Sequence, residues 1–408
     1  MVKTIWIINQ YASTPENGYA GRHYYLGTEL VKLGYKVYLI ASAKHHLLRE
    51  KVVMDSTFKI TDHDGLNVVW MDMPTYADAH SKQRVLNWFI FSWKLLRLVK
   101  LIPDKPEYIL CSSPSLISFF GAKKLAKQYK SKLIFEVRDI WPLTLTEIGG
   151  FSSKNLFIRF LQWVENKAYR DSDAVVSNLK NSVEHMVVHG LNRDKFTWIP
   201  NGFSEREVRE ARPLADNVLS QVPIESFIVG YTGTFGLAND LYTLLAAAAK
   251  LKKYPEIKFV LVGGGKEKSN LINYSKELEL NNVIFINFIN KNHIQSMLKC
   301  FDVLTVGAKK EPMYHFGVSP NKLFDYMIAG KPIIYHIESG NYHPVTDAGC
   351  GFEVESGDPD KLANAILKVY KMPPNEREFM GDNGVKAALH QYEYRQLAEK
   401  LVQVLRSM

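Results

Sequence analysis

The sequence has little cysteine and no long uncharged apolar run. Its 408 residues include three cysteines, Cys111, Cys300 and Cys350, which lie far apart and form no Cys-x-x-Cys pair. This excludes a zinc or redox site built on such a pair, and the odd number excludes complete pairing in disulfides. We therefore expect a reducing, cytoplasmic compartment. Nowhere do about 20 apolar residues follow one another without a charge, so we expect no membrane-spanning helix.

Acidic residues are too few in the first half of the chain to balance the basic ones. Residues 1–200 hold 27 lysines and arginines against 18 aspartates and glutamates, whereas residues 201–408 hold 24 of each. The whole net charge of +9 therefore lies in the first half. This asymmetry predicts an anionic partner, either a membrane surface, a phosphorylated acceptor or nucleic acid. No nucleic-acid-binding motif accompanies the charge, so we expect no nucleic acid.

Short β-branched segments alternate with helical segments throughout the chain. Several of them, such as Tyr108-Ile-Leu-Cys111, are apolar throughout, as parallel strands covered on both faces require. The predicted strands are Thr4–Asn9, Lys36–Ile40, Leu66–Met71, Tyr108–Ser112, Leu133–Val137, Ala174–Ser177, Phe196–Ile199, Phe227–Tyr231, Lys258–Val262, Val283–Ile286, Val303–Val306 and Pro332–Tyr335. The pattern predicts an α/β protein of two doubly wound domains that face each other across a cleft, divided near residue 200. Arg212–Pro223 is interpreted as a loop or short linker.

A glycine-rich segment in the second half is typical of anion binding. Gly230-Tyr-Thr-Gly233-Thr-Phe-Gly236 follows a predicted strand and precedes a predicted helix at Asp240–Leu251. Glycines there allow the backbone to approach an anion at a helix N-terminus. A dinucleotide oxidoreductase is disfavoured, because Gly263-Gly-Gly-Lys266 after the next strand offers no acid for a ribose.

A second segment, Ser319–Pro332, predicts a helix that begins at Pro320, is capped by Ser319 and ends at Gly330. Lys322 falls in its first turn, where the helix dipole disfavours a cation and a bound anion would reverse that penalty. The alternative is a lysine whose amine simply reaches solvent. Asp325, three residues later, could accept hydrogen bonds from ribose hydroxyls or be an ordinary exposed acid.

Six segments in order along the chain resemble the retaining glycosyltransferases of family 4, which have the GT-B fold of two facing Rossmann-like domains with a deep cleft between them. The segments are Asn9-Gln-Tyr with Gly18 and Gly21, Glu136-Val-Arg138-Asp139-Ile-Trp141-Pro142, Ile199-Pro-Asn201-Gly202, Gly230-Tyr-Thr-Gly233, Leu261-Val-Gly263-Gly-Gly and Ser319–Pro332. The second and last look most like bacterial N-acetylfucosaminyl transferases of O-antigen and capsule synthesis.

The resemblance implies the domains and the reaction. Residues 1–200 would bind the acceptor, with a last helix near residues 391–408 packed on them, and residues 201–390 would bind the donor. A sugar would pass with retention from a nucleotide-diphosphate donor, with a UDP-N-acetyl sugar favoured, to a polyprenyl-diphosphate-linked or saccharide acceptor. A sugar-nucleotide 2-epimerase and a non-catalytic nucleotide-sugar-binding protein are the two alternatives.

The resemblance also implies a donor site, and this chain departs from the family pattern within it. The implied donor residues are Gly18, Gly21, Gly233, Thr234, Lys266, Gly317, Ser319, Asn321, Lys322 and Asp325. Asp325 replaces the second glutamate of the family's E-x7-E motif and Gly317 the first, so that Glu311 or backbone N–H groups would have to substitute. Thr234 and Asp240 stand where the family often has Arg and Lys, which makes Lys322 the chief candidate for neutralising the departing diphosphate.

Arg138 and Asp139 are, with Lys322, the candidate catalytic residues. Arg138 would bind a phosphate, and Asp139 would orient or deprotonate the acceptor hydroxyl. The alternative is a mutual ion pair that fixes the loop around Trp141. We expect no metal or other cofactor, because the Asp-x-Asp pairs, Asp171-Ser-Asp173 and Asp62-His-Asp64, are typical of a helix end and a polar turn.

Aromatic and basic residues alternate in Arg84–Ile102, which suits a helix lying on an anionic bilayer. The candidate acceptor or membrane contacts on this segment are Trp88, Lys94, Arg97 and Lys100. The alternative is a core-facing helix with solvated basic residues. The first interpretation predicts a cytoplasmic enzyme that is peripheral on the inner face of the plasma membrane.

Overall fold

The computed structural model describes residues 2–18, 21–76 and 81–408. It divides into two compact units, the first comprising Met1–Pro200 with Tyr394–Met408 and the second comprising Asn201–Glu393. The chain therefore leaves the first unit after Pro200 and rejoins it at Tyr394.

The first unit is built on a sheet of eight strands in the order β3-β4-β2-β1-β5-β6-β7-β8. The strands are β1 (Thr4–Ile8), β2 (Lys36–Ser42), β3 (Phe58–His63), β4 (Leu66–Met71), β5 (Tyr108–Ser112), β6 (Lys132–Val137), β7 (Ala174–Ser177) and β8 (Phe196–Trp198). All neighbouring pairs are parallel except β3 with β4. Successive residues of β1 and β5 are all buried, so both faces of the sheet centre are covered.

Among the described residues, seven α-helices connect these strands. They are α1 (Arg22–Lys32), α2 (Lys82–Leu95), α3 (Leu98–Leu101), α4 (Ser118–Tyr129), α5 (Leu143–Glu147), α6 (Leu156–Asp171) and α7 (Val183–Val188). The segment Arg84–Ile102, predicted as one helix, is thus divided between α2 and α3. Ser81 caps α2 with a hydrogen bond from the Gln83 N–H, and Asn155 caps α6 in the same way.

Strand β3 was not predicted. It lies at the sheet edge and pairs with β4 alone, and its burial alternates between half-buried and exposed residues. A two-residue turn at Asp64-Gly65, both with positive φ, joins the two strands into a hairpin. Of the pair Asp62-His-Asp64, which was predicted to lie in a polar turn, Asp64 lies in this turn and Asp62 lies in β3.

The second unit is built on a fully parallel sheet of six strands in the order β11-β10-β9-β12-β13-β14. The strands are β9 (Phe227–Thr234), β10 (Ile257–Gly264), β11 (Val283–Ile286), β12 (Val303–Gly307), β13 (Ile333–His336) and β14 (Gly351–Glu353). The helices are α8 (Glu205–Arg209), α9 (Asp216–Leu219), α10 (Leu241–Lys250), α11 (Lys268–Glu277), α12 (Ile294–Lys299), α13 (Asn321–Ile328), α14 (Pro344–Asp347), α15 (Pro359–Lys371) and α16 (Pro374–Ala387). Helix α9 is a single turn inside the predicted loop Arg212–Pro223, and β14 was not predicted.

The last helix, α17 (Tyr394–Ser407), contributes to the core of the first unit. Leu397, Leu401 and Leu405 are buried in the cluster that covers one face of the eight-stranded sheet. The ring of Tyr394 stacks on that of Tyr25, with centroids 4.9 Å apart. Within the described ranges, no helix combines the length and apolar character needed to cross a membrane.

Candidate active site

Glycines form the adjacent carboxyl ends of β9 and β10. Gly233 is paired with Gly263 in the parallel register, and a Cβ on Gly263 would lie 1.9 Å from the Gly233 carbonyl oxygen. A Cβ on Gly265 would lie 2.4 Å from the Phe235 carbonyl oxygen. These two glycines are therefore required for the strand ends to pack. Gly233 itself is exposed and adopts a φ of +141°, a conformation that favours glycine.

Lys322 reaches from the first turn of α13 to the end of β9. Its Nζ donates hydrogen bonds to Tyr231 Oη at 2.7 Å and to Asn239 Oδ1 at 2.9 Å. The same nitrogen lies 4.1 Å from the centroid of the Tyr231 ring, and a Cβ on Gly233 would approach it to 3.0 Å. An ammonium group has three N–H donors, and none of the residues that the structure describes accepts the third or supplies a carboxylate. The structure thus brings together Lys322 and Gly233, two of the predicted donor residues.

The surroundings of Lys322 disfavour its charged form. Burial lowers the pKa of Lys322 to about 7, because its two hydrogen-bond partners are neutral and cannot offset the lost hydration. The pKa of His336 falls to about 4 through burial, and the charge on Lys322 contributes to the decrease. A bound anion would supply the missing counter-charge. The end of β9 is therefore an electrostatically incomplete site that favours an anion.

The predicted cap of α13 is wrong. Ser319 Oγ accepts a hydrogen bond from the Asn201 N–H at 2.9 Å, and Asn201 Nδ2 donates to the Ser319 carbonyl at 2.7 Å. The helix begins at Asn321 instead of Pro320, because Pro320 has an extended ψ and occupies the N-cap position. No side chain in the described part of the chain caps this terminus, so the first-turn N–H groups of Asn321 and Lys322 remain available to an anion.

Asp325 lies one turn beyond Lys322 on α13, and the prediction that it is an ordinary exposed acid is wrong. Its side chain is 17% exposed, and its Oδ2 lies 3.7 Å from Lys291 Nζ, which also pairs with Glu207 at 3.1 Å. Burial raises the pKa of Asp325, while Lys291 opposes that shift and Glu207 adds to it. A ribose bound here would share the carboxylate with Lys291.

The remaining donor candidates are less closely joined to Lys322. The Thr234 carbonyl accepts hydrogen bonds from Tyr231 Oη at 2.8 Å and Asn239 Nδ2 at 3.1 Å, so this residue holds the partners of Lys322. Lys266 is exposed. Gly317 is buried with a φ of +94°, where a glutamate would be strained. This conformation gives a backbone reason for the departure from the E-x7-E motif.

Glu311, the suggested substitute for the missing glutamate, lines an open pocket of about 830 Å³ after β12, β13 and β14. Lys310 and Glu338, also in the lining, form an ion pair at 2.9 Å. Glu353 uses Oε1 to accept hydrogen bonds from the N–H groups of Val345 and Thr346 at the start of α14. Among the described residues, no hydrogen bond or ion pair joins Glu311 to Lys322.

A second polar cluster lies at the carboxyl end of β6 in the first unit. Glu136 is fully buried and accepts hydrogen bonds from Arg22 Nε at 2.8 Å, from Ser112 Oγ at 2.6 Å and from His23 Nε2. Arg22 also donates to the Pro200 carbonyl. Burial by itself would raise the pKa of Glu136, but Arg22 and His23 hold it well below its usual range. The ionised carboxylate thus organises the start of α1.

Arg138 and Asp139, the candidate catalytic pair, follow this cluster but do not form the ion pair that was the alternative prediction. Asp139 accepts hydrogen bonds from Trp141 Nε1 at 2.9 Å and from Thr144 Oγ1 at 2.6 Å. The Arg138 Nε is buried without a hydrogen-bond partner, and so is the Arg22 Nη2. The first unit therefore holds two guanidinium groups that each have one buried N–H donor without a partner.

Two family models together match most of the chain. The model described as glycosyl transferases group 1 matches residues 220–387, and the model described as glycosyltransferase family 4 matches residues 18–206. The chain is a glycosyltransferase, and its first unit is similar to family 4. The two matches fall on the second and first units respectively, with residues 201–206 of the second unit included in the family 4 match.

Individual relatives of this glycosyltransferase are distant. An uncharacterised glycosyltransferase of Methanocaldococcus jannaschii is 23% identical over 357 residues, which are 82% of this chain and 87% of that protein. The UDP-Gal:alpha-D-GlcNAc-diphosphoundecaprenol alpha-1,3-galactosyltransferase of Escherichia coli is 25% identical over 241 residues, 56% of this chain and 60% of that protein. The chain therefore spans less than two thirds of the length of the second relative.

Solved structures support the GT-B fold of the glycosyltransferase. Sucrose-phosphate synthase from Thermosynechococcus elongatus matches with a TM-score of 0.73 at 18% identity, over 99% of this chain and 98% of that one. HepE of Anabaena in complex with UDP and glucose matches with a TM-score of 0.66 at 15% identity, over all of both chains. The predicted α/β class with two Rossmann-like domains is confirmed.

Other predicted site residues of the glycosyltransferase are placed as follows. Gly21 is the N-cap of α1, and Gly18 is buried where a Cβ would lie 2.7 Å from the Ser13 side chain. Residues 19–20 between them lie outside the described ranges. Within those ranges, no group of three His, Cys, Asp or Glu side chains is arranged to hold a metal ion.

The predicted membrane contacts on the segment Arg84–Ile102 are wrong in part. Trp88 is buried, and its Nε1 donates to Tyr11 Oη at 2.7 Å. Lys94 is half-buried and donates to the Asp72 carbonyl. Arg97 and Lys100 are exposed as expected. The helix therefore turns Trp88 toward the core, and a different set of aromatic residues faces solvent.

Four residues of the two candidate sites were not predicted from the sequence motifs. They are Tyr231 and Asn239 beside Lys322, and Arg22 and Glu136 in the first unit. The role of Glu136 could have been inferred from the sequence, because an acid within the apolar strand Leu133–Val137 must find polar partners when it is buried. The contacts of Tyr231 and Asn239 with Lys322 could not, since both residues lie more than 80 residues from Lys322 in sequence.

Proposed function

We propose that this glycosyltransferase moves a sugar with retention from a UDP-N-acetyl sugar to a polyprenyl-diphosphate-linked or saccharide acceptor in O-antigen or capsule synthesis. The observation that carries the donor part is the Lys322 ammonium at the end of β9, which has no carboxylate partner in the described chain. The UDP complex of HepE and the activity of the Escherichia coli relative support the choice of nucleotide and acceptor. Identification with N-acetylfucosaminyl transferases stays a prediction.

The proposed chemistry on the donor side is electrostatic. Negative charge builds on the diphosphate as the bond to the sugar breaks, and a fixed positive group at that position lowers the barrier. Lys322 would supply this charge, and the first-turn N–H groups of α13 would add hydrogen bonds. Asp325 would bind the ribose. A bound metal ion is not needed for this role.

On the acceptor side, the proposal assigns two roles in the first unit. Asp139 would orient the acceptor hydroxyl or take its proton, with its carboxylate held by Trp141 and Thr144. Arg138 would bind a phosphate through its guanidinium group, which forms no ion pair with Asp139. A peripheral position at the membrane would bring the enzyme to a lipid-linked acceptor.

A thermal-shift panel and a transfer assay test this function. UDP-N-acetyl sugars should raise the thermal midpoint more than GDP or ADP sugars, because only a ligand that prefers the native state raises it. Transfer to a synthetic polyprenyl-diphosphate sugar should continue in EDTA, with NMR of the product giving a retained anomeric configuration. A strict Mn²⁺ or Mg²⁺ requirement would contradict the metal-free role of Lys322. Conversion of the sugar without acceptor would indicate an epimerase.

Donor affinity should depend on pH through Lys322. The diphosphate binds the charged amine and raises its pKa above the value of about 7 in the free protein. Affinity for a UDP-sugar should therefore be constant below pH 7 and fall as the pH rises above 7, by up to about tenfold per unit. Isothermal titration between pH 6 and pH 9 would measure it, with uptake of a proton on binding above pH 7. Lys322→Arg should bind with little change over this range, because a guanidinium stays charged. A flat wild-type profile would contradict the assignment.

A further inference from the structure

Exposed and half-exposed aromatic rings from three helices of the first unit form one connected surface strip, Phe89, Phe120, Phe160 and Trp163. Phe89 of α2 stacks on Phe160 of α6 with centroids 6.4 Å apart, and Phe160 stacks on Trp163 at 6.0 Å. Trp163 in turn lies 5.8 Å from Phe120 of α4. Phe89 is 42% exposed and Trp163 49% exposed, although rings that pack together are usually found in a core. We call this set the aromatic strip.

Further apolar side chains extend the aromatic strip along two helices. Leu86 and Trp93 lie three residues before and four residues after Phe89, on the same face of α2, and both are exposed. Leu156 precedes Phe160 by four residues on α6 and is 79% exposed. Surface hydrophobic residues scattered singly need no explanation, but a contiguous patch of this kind marks an interaction surface.

The charges around the aromatic strip have one sign. Helices α2, α3 and α4 contain no aspartate or glutamate. The guanidinium of Arg97 lies 4.3 Å from the Trp93 ring centroid, and Lys100 is exposed on α3. Lys124 and Lys127 are exposed four and seven residues after Phe120 on α4. Within the described chain, no carboxylate forms an ion pair with these four cations.

Acids on the neighbouring helix α6 do not change this balance. Glu165 is buried against Tyr169, with an Oε1 that accepts the Tyr169 hydroxyl at 2.7 Å. Asp171 is paired with both Lys123 at 2.5 Å and Lys167 at 3.0 Å. The face therefore joins exposed aromatic rings to uncompensated positive charge.

We propose that this face, the aromatic strip with Leu86, Trp93 and Leu156 and the surrounding cations, docks on an anionic lipid bilayer. Aromatic side chains and Lys or Arg are enriched at a bilayer interface. The rings lie near the boundary of the acyl chains, and the cations contact lipid phosphates. A second copy of the chain fits poorly, because a two-fold contact would bring positive charges together with no acid to pair with them. The inference deepens the proposed function, since a polyprenyl-linked acceptor lies in a membrane.

Co-sedimentation with phosphatidylcholine vesicles, with and without phosphatidylglycerol, tests the docking face. The wild type should bind only vesicles that contain phosphatidylglycerol, and more weakly as salt increases. Phe89→Ser/Trp163→Ser and Lys124→Glu/Lys127→Glu should each reduce binding at least about tenfold. The matched controls are Phe379→Ser and Lys276→Glu, exposed residues of the second unit that should leave binding unchanged. Absence of wild-type binding at low salt, or unchanged binding of the first two variants, would overturn the proposal.

Two further measurements separate this proposal from its competitors. Brominated lipids should quench the tryptophan fluorescence of the wild type, and Trp93→Phe/Trp163→Phe should remove most of that quenching. Binding without quenching would indicate adsorption by charge alone and would overturn the role of the aromatic strip, as would a dimer in solution that Phe89→Ser/Trp163→Ser dissociates. Neither vesicle assay needs a donor. Transfer to a water-soluble acceptor by the same variants therefore tests the proposed function separately.

Discussion

Replacement of Lys322 by methionine should reduce kcat/KM for the donor by about 100- to 1000-fold, the usual effect of removing one group that stabilises transition-state charge. The same substitution should raise the thermal midpoint of the free protein. The pKa of Lys322 in the folded state, about 7, lies below its unfolded value of 10.5. The unfolded state therefore binds more protons between these values, and the stability of the free wild-type protein rises with pH across that window.

Methionine fills a similar volume without the buried charge, so the gain in stability should be full at pH 7 and below and should vanish near pH 10.5. Differential scanning calorimetry across this pH range, combined with donor kinetics, measures both effects. Lys276→Met, the same change at an exposed lysine of α11, should alter neither. Near-normal donor kinetics in Lys322→Met would refute the donor assignment. A lowered midpoint would instead show that the two hydrogen bonds of Lys322 outweigh its burial.

Replacement of Glu136 by alanine should strongly destabilise the first unit. It would leave the Arg22 guanidinium buried without its carboxylate, and breaking a buried ion pair by removing one partner costs roughly 3–5 kcal/mol. For a unit of this size the thermal midpoint should fall by on the order of 10 °C. Chemical denaturation followed by circular dichroism would measure the loss.

Two variants make the Glu136 prediction specific. Glu29→Ala removes the partner of an exposed lysine, Lys32, and should cost at most about 1 kcal/mol. Glu136→Gln keeps one acceptor oxygen but replaces the other by an NH2 donor and removes the charge, so its stability should lie between those of the wild type and Glu136→Ala. Equal stability of Glu136→Ala and Glu29→Ala would contradict the network described around Arg22.

The central strands could be predicted because their apolar residues are stable only where both faces of the sheet are covered. The segment Tyr108–Ser112 is apolar at its first four positions, which favours burial between two covered faces, and the structure has that strand at the same bounds. Strand β3 escaped prediction because an edge strand with one exposed face carries polar residues and gives a weak apolar signal. Strand β14 has only three residues, too few for a pattern.

The site was less predictable because its contacts are made across the sheet. Sequence placed Lys322 in the first turn of a helix, but its partners come from β9 and the turn after it. Ser319 was predicted to cap α13 from local spacing alone. Its hydroxyl instead accepts a hydrogen bond from the N–H of Asn201, a residue distant in sequence. Trp88 was placed on the surface because alternation of aromatic and basic residues does not say which helix face is buried.

The helix α17 has a consequence for how the protein folds during synthesis. The second unit is complete once Glu393 has left the ribosome, whereas the first unit still lacks the leucines of α17 at that moment. The half that is translated first is therefore the half that matures last, and its apolar groove for α17 stays uncovered while some 190 further residues are translated. Stalled nascent chains that end before Tyr394 should bind chaperones through this groove.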